Sequence, residues 1–162
     1  MPIYFTRLTV GYPGPLKKLE DFPDSWRVYT ICKTPHIGSS TMIEDVRKLE
    51  KSEQTHARSA FITLLGKAQA GKPLKDQYDE KKCHEAHSFE FDGSPVKIYR
   101  IRSEDVRIYF CYLPPNKKII LLKIKPKRKN ELSEHEKKQL EIIASDVLQY
   151  SDPTYFESRI VT

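Results

Sequence analysis

Hydrophobic and polar positions change their period several times along this chain, and each change marks an element. Trp26, Val28, Thr30 and Cys32 alternate with Arg27, Tyr29 and Ile31, which predicts a strand over residues 26–32. From residue 41 the spacing lengthens. Met42, Ile43, Val46 and Leu49 recur at helical intervals behind a Ser40 or Thr41 cap, with Glu44 and Asp45 in the favourable first turn. Ala57, Ala60, Phe61, Leu64, Leu65 and Ala68 form the stripe of a second helix over about residues 53–70, ended by Gly71 and Pro73. Two helices joined this closely make a hairpin whose stripe must be covered, and a sheet is the surface that covers it.

Residues 73–85 are highly charged, lack apolar periodicity and predict a loop. A short strand over residues 87–91 follows, with a turn at Asp92-Gly93-Ser94-Pro95. Period two then returns in three runs: Val96, Ile98, Tyr99 and Ile101; Val106, Ile108, Tyr109, Phe110 and Tyr112; Ile119 to Leu122 and Ile124. Turns at residues 103–105 and 113–118, the second holding Pro114-Pro115-Asn116, predict an antiparallel meander. Ser133 with Glu136 three residues on is a capping-box pattern. The helix it opens buries Leu140, Ile143, Ala144, Val147 and Leu148, and Asp152-Pro153 ends it. Ahead of residue 25, Pro2, Pro13, Pro15, Pro23, Gly11 and Gly14 leave an irregular arm with one short strand over residues 4–10. The expected organisation is an N-terminal arm (1–25), one domain (26–150) and a tail (151–162). Its fold class is α+β: an N-terminal strand and helical hairpin packed on an antiparallel sheet of three to five strands, with a C-terminal helix.

Composition narrows the class. At 162 residues, with 38% hydrophobic and 31% charged residues, the chain suffices for one core. No apolar run approaches the roughly 20 residues of a membrane span, and residues 1–10 hold no uninterrupted apolar stretch of the kind a secretory leader needs. Cys32, Cys83 and Cys111 are odd in number and fall on separate elements, which points away from a disulfide framework and toward a reducing cytoplasm. Cys83-His84 with His87 resembles half of a metal site, but no second ligand pair lies nearby, so no metal is expected.

Charge changes the picture most. Residues 95–129 carry eleven Lys and Arg against Glu104 and Asp105, a net +9, whereas the whole chain is +6 and the remainder therefore −3. Such concentration is a footprint, and a polyanion is its expected partner. Arg100 and Arg102 share one face of the first strand, and Lys123, Lys125 and Lys127 leave the third together. Lys117 and Lys118 read as solvated turn residues. Tyr99, Tyr109, Phe110 and Tyr112 read as cross-strand packing before base stacking.

The ordered set of elements resembles the RelE/ParE superfamily of bacterial toxins. Residues 64–74, opening on Leu64-Leu65 and closing on Gly71-Lys72-Pro73-Leu74, look like the end of that family's second helix. Residues 98–110, with Arg102 ending one strand and Arg107 opening the next, look like its central strands. Ile119-Ile120-Leu121-Leu122 running into residues 123–129 is similar to its last strand and basic turn. The resemblance spans about residues 26–150. It implies either ribosome-dependent cleavage of messenger RNA, as in RelE- and HigB-like members, or gyrase inhibition, as in ParE-like ones. It also implies a cognate antitoxin, encoded next door, as protein partner.

RNA can be cut without a metal or cofactor when its own 2′-hydroxyl attacks the adjacent phosphate, given alignment, charge stabilisation and a proton for the leaving oxygen. The resemblance assigns Arg102 and Arg107 as phosphate clamps, Arg100 near the reacting hydroxyl, and Lys127 or Arg128 beside the leaving oxygen. Lys97, Lys123, Lys125 and Lys129 would extend the RNA-binding surface over messenger and ribosomal RNA. Two positions depart from the family pattern: Ile98 stands where a second lysine is expected, and no tyrosine stands near Ser133-Glu134. The meander contains no histidine, although the preceding loop can bring His84 or His87 to it.

Overall fold

The computed structural model describes residues 3–8, 22–34, 37–114, 117–127 and 131–149. In it the expected α+β composition is organised around a single six-stranded mixed sheet. The strands are β1 (Tyr4–Arg7), β2 (Arg27–Cys32), β3 (Cys83–Phe91), β4 (Ser94–Ser103), β5 (Val106–Leu113) and β6 (Lys118–Pro126), in spatial order β1-β2-β6-β5-β4-β3. Every pairing is antiparallel except β2 with β6, which is parallel from Arg27↔Lys118 to Thr30↔Leu121. The expectation of a wholly antiparallel sheet of three to five strands is thus corrected. Ile119 to Leu122 are apolar without alternation because β6 lies inside the sheet and both of its faces are covered.

The helices are α1 (Thr41–Arg47), α2 (Lys51–Ala70), the short α3 (Leu74–Gln77) and α4 (Glu134–Gln149). Ser40 caps α1, its Oγ accepting from the Met42 and Ile43 backbone N–H groups at 3.1 and 3.4 Å. The capping box opening α4 also forms: Ser133 Oγ accepts from Glu136 N at 3.2 Å, and Glu136 Oε1 from Ser133 N at 3.1 Å. The loop expected over residues 73–85 instead contains α3 and the first residues of β3. Leu74 is fully buried and anchors that turn of helix in the core.

Two cores flank the sheet. On one face α1, α2 and α3 bury Met42, Phe61, Leu64 and Leu74 against Val28, Ile101, Ile108, Phe110, Leu121 and Ile124. On the other, α4 brings Leu140, Ala144 and Val147 onto Phe5, Ile98, Cys111, Ile120 and Leu122. Each fully buried side chain of this size contributes roughly 1.5–3 kcal/mol of transfer free energy. Tyr99, Phe110, Tyr112 and Trp26 form a contiguous ring cluster on the hairpin side, with centroids 4.9–5.6 Å apart, so these aromatics pack as expected. Of the N-terminal arm, β1 belongs to the sheet; residues 9–21 of the arm and the 151–162 tail lie outside the described residues. No helix among the described residues is long and apolar enough to cross a membrane.

Lys117 and Lys118 are not solvated turn residues. Lys117 Nζ donates to the Asp24 and Gly71 carbonyls, each at 2.6 Å, and lies 5.0 Å from the centre of the Trp26 ring. Lys118 is only 6% exposed. Gly71 closes α2 at φ +81°, and a Cβ there would collide with the Asp24 carbonyl oxygen. Lys117, Gly71 and Asp24 therefore clasp the end of α2 to the β5–β6 turn. Lys117→Ala should destabilise the domain by about 1–3 kcal/mol, as loss of two charge-assisted hydrogen bonds predicts. Gly71→Ala adds left-handed strain of about 1–2 kcal/mol to the steric conflict. Thermal unfolding measures both, and melting temperatures equal to the parent's would show that the clasp adds nothing.

Candidate nucleic-acid interface

The bulge in β6 decides where the lysines go. Tyr109 pairs with Lys123 and Phe110 with Leu121, so Leu122 is the extra residue and the alternation of β6 shifts by one. Leu121 and Ile124 thereby both enter the hairpin core, while Lys123 and Lys125 join the α4 face. There the register builds two cationic rows across the strands. One runs Arg102, Arg107, Lys125; the other runs His84, Arg100, Tyr109, Lys123. Arg100, Arg102, Arg107, Lys123 and Lys125 thus stand on one face.

Their environments differ. Arg107 is only 4% exposed, and its Nη1 donates to the Glu104 and Val106 carbonyls at 3.2 and 3.1 Å. It holds the two-residue β4–β5 turn, in which Glu104 adopts φ +51°. Burial, then the charges of Arg100 and Arg102, pull the Arg107 guanidinium below its ordinary pKa. Arg102 is exposed, and its side chain makes no hydrogen bond or ion pair with the described residues. Asp105, the other acid of this turn, places its Oδ1 2.6 Å from His56 Nδ1 on α2. Arg100 Nη2 stands 2.7 Å from His84 Nε2, while His84 Nδ1 lies 2.9 Å from the Glu85 carbonyl. Tyr109 is buried among these cations; desolvation raises its pKa, and Arg100 and Arg107 oppose that rise.

Two open clefts flank Arg107. One, of about 580 Å³, is lined by Glu80, Lys81, His84, Arg100, Arg102 and Arg107. The other, of about 410 Å³, lies between β6 and the start of α4, with Lys123, Lys125 and Lys127 on its wall. Lys127 is held at the mouth of the second by its backbone N–H, which donates to the Asp105 carbonyl at 2.6 Å.

Three assigned cations are committed elsewhere. Lys97 falls on the opposite face from Arg100 and Arg102, because odd and even positions of β4 diverge, and it lies 3.7 Å from Glu85. Lys123 is 3.2 Å from the buried carboxylate of Asp45, whose other oxygen accepts from Ile124 N at 3.2 Å. Lys125 Nζ meets Glu136 Oε2 at 2.7 Å and tethers the first turn of α4. Arg128 and Lys129 lie outside the described residues. His84 is a candidate that the sequence offers, but its register opposite Arg100 is hidden there, because β3 starts at Cys83 inside a stretch that lacks apolar alternation. Cys83 enters the hairpin core while His84 faces the arginines, so this adjacent pair does not converge on one ion.

Comparison of the chain with protein-family models, with curated proteins and with solved structures finds no match. The interface therefore has to be read from its own chemistry. Two arginines on adjacent strands, one exposed and one buried against carbonyl oxygens, place two guanidinium groups beside one open cleft, and guanidinium groups pair with phosphate oxygens through more than one N–H.

The tether of α4 has a pH signature. The Glu136 carboxyl is pulled from 4.5 to about 2, chiefly by its hydrogen bond from Lys125 and then by the Ser133 backbone. A depressed carboxylate stabilises the fold fully above its unfolded pKa and loses that contribution as pH falls through the folded value. Glu136→Gln should therefore lower the melting temperature at pH 7, with the deficit shrinking between about pH 4.5 and pH 2. Equal deficits at pH 7 and pH 2 would mean that the Lys125 pair is not its source.

Proposed function

We propose that this chain is a RelE/HigB-like toxin of a toxin–antitoxin pair, a ribosome-dependent endoribonuclease that cleaves messenger RNA in the cytoplasm. The supporting observation is the register pair Arg102↔Arg107, with Arg100 on the same face and an open cleft before them. A phosphodiester seated there would meet the exposed Arg102 first and the buried Arg107 behind it. Fixed guanidinium groups stabilise the extra charge of the pentacoordinate phosphorus more than the ground-state phosphate, which is the differential binding that catalysis requires. Ribosomal RNA would bear on the rest of the cationic face, including the residues beyond Lys127. The antitoxin is the expected protein partner, and no cofactor enters the chemistry.

A non-catalytic reading, a ParE-like gyrase inhibitor or a nucleic-acid binder of the same fold, has one observation in its favour. Ile98, standing where the family carries a lysine, is fully buried under α4 and offers no charge. Supercoiling by purified gyrase in the presence of the chain tests the gyrase branch of this reading, because an endoribonuclease leaves it unchanged.

Arg102→Ala is the cleaner test of the cradle, since Arg107 also supports a turn. On programmed ribosomes, single-turnover cleavage should fall on the order of 100-fold or more, as removal of a transition-state donor predicts, with an unchanged melting temperature. Parental cleavage rates in Arg102→Ala would remove this arginine from the chemistry, and intact messages after induction in growing cells would remove the nuclease reading altogether.

A further inference from the structure

Among the groups lining the arginine cleft, His84 alone combines a position at its wall with a side chain whose proton placement the geometry settles. Its Nδ1 lies 2.9 Å from a carbonyl, which accepts and cannot donate, so Nδ1 carries the proton. Its Nε2 then holds the lone pair, and Arg100 Nη2 donates to it at 2.7 Å. His84 is therefore a neutral imidazole with a basic nitrogen aimed at an arginine of the proposed phosphate cradle. It stands at the cleft surface, and its register partner is Arg100 itself. A buried structural histidine would satisfy both nitrogens on fixed backbone groups. Here the second partner is a guanidinium for which phosphate is the stronger acceptor.

From this the geometry points to His84 as the general base of the cleavage reaction, uncovered when an RNA phosphate draws Arg100 away from Nε2. The inference rests on the endoribonuclease reading above. The 2′-hydroxyl proton passes to His84 Nε2, and the 2′-oxygen bonds to phosphorus. The phosphorus–O5′ bond breaks with its electron pair going to O5′, which takes a proton from the Lys127 ammonium in the cleft on the far side of Arg107. The products are a 2′,3′-cyclic phosphate and a 5′-hydroxyl; the imidazolium gives its proton to water and the Lys127 amine takes one back from water, which restores both groups. His84 on β3, Arg100 and Arg102 on β4, Arg107 on β5 and Lys127 after β6 follow one another across the sheet. The charged groups facing His84 are Arg100 and Arg102 from β4, Arg107 from β5, and Glu80 and Lys81 from the turn preceding β3.

The test is the pH–rate profile of single-turnover cleavage on programmed ribosomes for the parent, His84→Gln, Glu80→Gln and, as control, His87→Gln. His87 lies away from the cleft, 3.3 Å from Glu141 of α4. In His84→Gln the introduced amide oxygen can still accept from Arg100, so fold and RNA binding should survive, as melting temperature and filter binding would report. His84→Gln should lose on the order of 100-fold or more in rate, the usual scale of general-base catalysis. It should also lose the limb in which the parental rate rises with pH, the mark of a general base that protonation disables. His87→Gln should match the parent in both. A parental rate that shows no such rise overturns the assignment without any variant, whether or not His84→Gln folds. A parental profile retained in His84→Gln also overturns it, and a loss confined to Glu80→Gln would give the role to that carboxylate. In those cases cleavage itself persists and the nuclease reading stands. A parent that cuts nothing, or that leaves 5′-phosphate ends, overturns both.

Discussion

Everything on the cationic face depends on how β6 is held. It pairs parallel with β2 along its first half, antiparallel with β5 along its whole length, and is covered on both sides over Ile119 to Leu122. Past Leu121 the pairing with β2 ends, and an unpaired backbone donor in a buried strand is costly. Asp45 of α1 meets that need by accepting from Ile124 N, and the same carboxylate receives Lys123. One acid thus closes the open flank of the strand and fixes the first lysine of the basic run. The bulge at Leu122 lies at this junction. It converts a strand buried on two faces into one with an apolar face and a lysine face.

Arg107 shows stability and proposed chemistry meeting in one residue. Its guanidinium is almost wholly buried, yet it rests on carbonyl oxygens and not on a carboxylate. Carbonyl partners take up the Nη1 N–H groups without cancelling the charge, while Nε is buried with no hydrogen-bond partner among the described residues. A carboxylate at the same place would have stabilised the arginine and extinguished the site. The contact of Asp105 with His56 ties an acid of the turn to α2, on the side away from the arginine cleft.

The face that carries the arginines is also the face that α4 covers. Leu140, Ala144 and Val147 seal its apolar half, and Lys125 with Glu136 pins the helix at the border between sealed and open halves. The position of α4 therefore sets how much of the cationic surface stays open. Lysines near that border serve as anchors first, and Arg100, Arg102 and Lys127 are left facing the clefts.

The sequence by itself determined the local elements. Helical spacing from Met42 to Val46 and from Ala57 to Ala68, the Ser40 and Ser133 caps, the Gly71 stop and the alternation through β4 and β5 are properties of neighbours within a few residues and reappear in the structure, whereas Leu49 of the first stripe lies past the end of α1 at Arg47. It also located the excess of positive charge. What tertiary structure decided is which strands meet and which face each cation takes. The parallel placement of β2 beside β6 joins Arg27 to Lys118, far apart in the sequence, and no local period encodes it. A one-residue bulge moved the lysines of β6 across the sheet, and strand parity set Lys97 on the wrong side of it. Lys117 became a clasp and Lys125 a tether because carbonyl and carboxylate oxygens from remote elements arrive beside them. Charge can be counted along a chain; whether a charge is available to a ligand depends on the partners that folding brings to it.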